Sequence, residues 1–121
     1  MNKYYKGNTK GSGQPAVFCV YDEPQKALFP DEDYTIEASY MGDAAVMRFQ
    51  SIEECKGLFH IGREIGEAEY SLYKDLSGLM TEFRLSGYTG GFPREETVKD
   101  LAREIRRDVQ KALLEIEEGA L

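Results

Sequence analysis

Leu58, Ile61, Ile65, Ala68, Leu72, Leu76, Leu79 and Phe83 recur at spacings of 3, 4, 3, 4, 4, 3 and 4. At about 100° per residue these side chains fall within an arc of roughly 80°, the pattern of one long amphipathic helix and not of strands. This stripe limits the fold more than any other segment, because a helix with one apolar side must bury it against a sheet or another helix.

The material to be covered precedes the stripe. Tyr34, Ile36, Ala38 and Tyr40 alternate with Thr35, Glu37 and Ser39, and a Met41-Gly42-Asp43 turn leads into a second apolar run from Ala44 to Gln50. Alternation around a Gly-containing turn predicts a hairpin with one buried face. Ala16 to Tyr21, between Pro15 and the Asp22-Glu23-Pro24 turn, reads as another strand, and Ala27-Leu28-Phe29 before Pro30 as a short edge strand. Residues 6–15 are turn formers and polar residues that cannot fill a core, so residues 1–15 read as a flexible Gly-rich leader and 16–121 as a single domain.

Ser51 to Glu54 has the form of a capping box. Ile52 and Glu54 do not fit the later stripe, so a break is expected near Lys56-Gly57, with the main helix running from Leu58 or Gly66 to Arg84. Ser86 to Pro93 reads as a loop. A second helix is predicted from Arg94 to Glu118, stopped by Gly119, with Val98, Leu101, Ile105, Val109, Ala112 and Ile116 on one side. The order of elements predicts an α+β domain: a small, mostly antiparallel sheet of three to four strands in the N-terminal half, covered by two C-terminal amphipathic helices.

The 121 residues carry 22 acidic against 15 basic side chains, a net charge of −7. The surplus argues against direct nucleic-acid binding, since phosphate affinity needs clustered cations, and it favours a protein partner with a basic surface. No apolar run approaches a membrane span, and the polar start Met1-Asn2-Lys3-Tyr4-Tyr5-Lys6 is unlike a signal peptide, so a cytoplasmic protein is expected. Cys19 and Cys55 show no metal or redox spacing and read as buried, reduced thiols.

Candidate chemistry is thin. His60, Glu64 and Glu67 share one side of a helix but lack the second histidine of a zinc site. Cys55 and His60, five residues apart on a helix, point in different directions, which does not suit a thiolate and its base. Gly7, Gly11 and Gly13 lack the lysine-serine or lysine-threonine ending of a phosphate loop. No catalytic residue, metal or cofactor is therefore assigned.

The leading functional reading is a binding protein, an inhibitor or nucleic-acid mimic that sets Asp22, Glu23, Asp31, Glu32, Asp33, Glu37 and Asp43 against a basic groove of a larger partner. A second reading is a dimeric protein that binds a small, nucleotide-like anion with Tyr88, Phe92, Lys99, Arg103, Arg106 and Arg107. An enzyme of unrecognised type is the third. Phe59, Gly62, Gly66, Tyr70 and Tyr73 flank the main stripe and widen its apolar arc to roughly 200°, more than one sheet covers, so they are assigned to packing on the second helix or to a homodimer contact.

Overall fold

The computed structural model describes residues 1–26, 33–40, 46–90 and 94–119. Five strands, β1 (Lys3–Thr9), β2 (Pro15–Lys26), β3 (Asp33–Tyr40), β4 (Val46–Phe49) and β5 (Phe59–Ile65), form one antiparallel sheet in the order β4-β3-β2-β1-β5. A short helix α1 (Ile52–Leu58) links β4 to β5, and two long helices, α2 (Glu67–Thr89) and α3 (Glu95–Glu118), complete an α+β arrangement. Among the described residues no helix is long and apolar enough to cross a membrane.

The expected leader is a correction of some weight. Lys3 to Thr9 pairs with β2 on one side and β5 on the other, so a segment rich in turn formers supplies an inner strand. Gly11 and Gly13, both at positive φ, make the β1–β2 turn, which glycine adopts without steric cost. The 16–21 strand is longer than expected, reaching Lys26, while the 27–29 edge strand and the 41–45 turn fall outside the described residues.

The second correction concerns the stripe itself. Its first turns are not helical: Phe59 to Ile65 is strand β5, and α2 begins after Gly66, the later of the two expected starts. Gly62 weakens helix propensity there, while the open edge of β1 offers a ladder of hydrogen bonds. A register shift opposite Tyr5–Gly7 gives β5 an additional residue, so Phe59 and Ile61 face one side of the sheet and Ile65 the other. The capping box is present, with the Ser51 Oγ accepting from the Glu54 amide at 3.4 Å and the Glu54 carboxylate accepting from the Gln50 amide at 3.2 Å. α2 also runs past Ser86 to Thr89, into the expected loop, before Gly90 closes it in the left-handed conformation.

The two faces of the sheet are chemically different. Under α1 lies an apolar core of Ala16, Phe18, Ile36, Ala38, Phe49, Cys55 and Phe59. The opposite face carries Val17, Cys19 and Ile65, with Tyr4, Tyr21, Tyr70 and Tyr73 packed around them. That face also holds buried Glu37, which accepts from Arg48 Nε at 3.2 Å and from Lys74 Nζ at 3.5 Å. A face with a carboxylate to satisfy selects the Tyr, Lys and Ser side of α2 over its leucines. Tyr70 and Ser77 are buried, and the Leu72–Phe83 stripe lies roughly 150° away from them on the helix. The stripe thus turns away from the sheet it was expected to cover.

Candidate functional site

α3 packs on α2, antiparallel to it: Leu101 sits over Gly78, and Glu115 reaches the start of α2. Gly66 offers no side chain to cap α2, and Glu115 does so instead, its Oε1 accepting from the Ala68 amide at 3.0 Å. A Cβ at Gly66 would collide with the Glu115 carboxylate. The negative charge also lies where the dipole of α2 favours it.

Midway along the seam is a carboxyl pair, Asp75 on α2 and buried Asp108 on α3. Burial, the hydrogen bond to Asp108 and the charges of Asp108 and Glu104 push the Asp75 carboxyl up to about 7, against the opposing pull of Arg107. The folded chain then holds a proton that an unfolded aspartate releases near pH 4. Stability is greatest below that range and falls as pH rises towards 7. Between pH 5 and pH 8 the chain should lose about 1–2 kcal/mol of unfolding free energy, less than the full shift implies because Asp75 is partly solvated. Urea denaturation at the two pH values checks this, and Asp75→Asn should flatten the dependence.

Contact with α3 leaves one side of the hairpin uncovered. Leu101, Asp108, Ala112 and Glu115 point towards α2, whereas Val109, Leu113 and Ile116 are rotated from them by roughly 90°. On α2, Leu72, Leu76, Leu79 and Phe83 are rotated from the α3 contact by roughly 90° in the same sense. In an antiparallel pair, the same sense of rotation on each helix points to the same side, so the two sets form one apolar face opposite the sheet. Phe83 is 53% exposed and Leu113 51%, with Val109 and Ile116 similarly open and Leu72, Leu76 and Leu79 partly exposed between them. Single exposed apolar residues are ordinary on a protein surface; a contiguous set on two helices marks a contact surface.

The sequence-predicted residues are dispersed. Glu37 is buried and ion-paired, and the Asp22 carboxylate meets the Met1 amino group. Glu23 and Asp33 are exposed on β2 and β3, and Asp31, Glu32 and Asp43 lie outside the described residues. Of the basic set, Lys99 pairs with Glu95 at 3.1 Å, Arg103 with Asp100 at 3.1 Å and Arg107 with Asp108 at 3.7 Å. Arg106 stays exposed, Tyr88 falls in the last turn of α2 and Phe92 lies outside the described residues. Phe59 is buried in the core beneath α1 and Tyr70 against the sheet, Gly62 is exposed on β5, Gly66 stands at the N-cap position of α2, and Tyr73 accepts from Lys6 Nζ at 3.1 Å, so Phe59, Tyr70 and Tyr73 serve the chain's own packing. His60 and Glu64 stand on β5 and Glu67 on α2, which dissolves their helical spacing. Burial pushes the Cys55 thiol up to about 11, away from the thiolate a nucleophile needs.

The contact face was partly visible in sequence: Leu72, Leu76, Leu79 and Phe83 sit in the stripe, and Val109 and Ile116 in the α3 pattern. Leu113 escaped because it lies just outside the arc that meets α2. No protein-family model matches the chain, and neither do curated proteins or solved structures.

Proposed function

We propose that this chain acts by protein–protein contact through the outward face of the α2–α3 hairpin. The observation that carries the reading is that Leu72, Leu76, Leu79 and half-exposed Phe83 of α2 lie on the same side of the hairpin as half-exposed Val109, Leu113 and Ile116 of α3, away from the sheet. Those side chains contribute little to the chain's own core, and burying them against a partner recovers the apolar transfer energy they forgo here. An acidic surface that mimics nucleic acid has less support, since Glu37 is committed to Arg48 and Lys74 inside the fold.

A photo-crosslinking residue placed at Phe83 or Leu113 of the full chain should give discrete protein adducts in cells that make it. The same residue at exposed Glu53 on α1 should not. Equal labelling at all of these positions, or no adduct at Phe83 and Leu113, rejects the reading.

A further inference from the structure

We infer that the partner on this face is a second copy of the chain, docked α3 against α3 in antiparallel about a two-fold axis that crosses the seam midway between Val109 and Leu113. The inference rests on the reading of the α2–α3 face as a contact surface. Ala102, Arg106, Val109, Leu113 and Ile116 follow one another at spacings of 4, 3, 4 and 3, the repeat of a coiled-coil seam. All are exposed, and they fall within roughly 80° of one another on the helix.

The charges on this flank are self-complementary. Arg106 and Glu117 lie within roughly 20° of each other on the wheel, and among the described residues neither makes an ion pair within the chain, unlike Lys99, Arg103 and Arg107. They stand on opposite sides of the exposed Val109 and Leu113. A two-fold axis midway between Val109 and Leu113 sets Val109 across from Leu113 of the partner subunit and brings Arg106 beside Glu117 of the partner subunit. The same contacts repeat with the roles exchanged. That is the requirement of an isologous interface, in which one patch must complement itself. A partner of different sequence has no need of both charges placed symmetrically about an apolar centre. Phe83 continues the apolar surface on α2, beside the N-terminal half of α3.

Sedimentation velocity of the full chain from about 1 to about 200 μM should show a monomer–dimer equilibrium. Arg106→Glu or Glu117→Arg alone should weaken the dimer by about tenfold or more, and the double reversal should restore it. Leu113→Asp should leave only monomer with an unchanged helical circular dichroism spectrum, because Leu113 is already half exposed. A chain that stays monomeric at the highest concentration overturns the inference, as does a dimer indifferent to these changes or a double variant as weak as the single ones. A monomer whose Leu113 crosslinks to a different protein overturns the second copy and leaves the contact face standing. Neither dimer nor adduct overturns both.

Discussion

Phe59→Ala should lower the free energy of unfolding by about 4 kcal/mol, measured by urea denaturation followed by circular dichroism. Phe59 is 2% exposed, and its ring meets Phe18 edge-on at 5.4 Å, with Tyr40 at 5.9 Å and Phe49 at 6.0 Å. Each contact adds to the area the ring buries, and β-strand backbone around the vacated space limits how far it can collapse. Phe59 is the junction of β2, β3, β4 and β5 beneath α1, so its loss should be felt as stability and not as a change in association. A decrease below about 1 kcal/mol would show that the aromatic cluster is not the centre of this core.

Gly7→Ala should cost about 3 kcal/mol in the same measurement. A Cβ there would run into the backbone carbonyl of His60, and across the ladder a Cβ on Gly62 would come within 2.5 Å of the Lys6 carbonyl oxygen. Backbone cannot swing aside as a flexible side chain does, so β1 and β5 would have to part at the register shift. Gly57→Ala is the matching control, since its Cβ would meet open space on helix α1; it should raise stability by about 0.5–1 kcal/mol through helix propensity. Equal effects of the two substitutions would exclude close approach as the cause.

These glycines mark where the sequence was hard to read. Gly7 and Gly62 look like breakers of regular structure, yet their missing side chains let two strands approach at a bulge. A period-of-two pattern cannot reveal such an arrangement, and the 58–65 segment fits a helical stripe equally well. The hairpin of Tyr34–Tyr40, the capping box at Ser51 and the Glu95–Glu118 helix were legible because each rests on local pattern or chemistry. What sequence could not supply was the facing of α2. The leucine stripe is the stronger amphipathic signal, but the buried Glu37 gives the sheet a polar demand that Lys74 of α2 meets together with Arg48 of β4. The candidate surface follows from that reversal, for the leucines turned from the sheet leave an apolar flank that α3 covers in part.

The cap on α2 has a consequence for the order in which the chain organises itself. An amide near the start of one helix is closed by a carboxylate from the last turns of the next, Ala68 by Glu115, across nearly fifty intervening residues. On a ribosome, then, the sheet and α1 have all their own residues before α2 can be closed at its base. The first turn of α2 remains a frayed end until α3 has folded back upon it, which makes the docking of α3 the event that closes the base of α2.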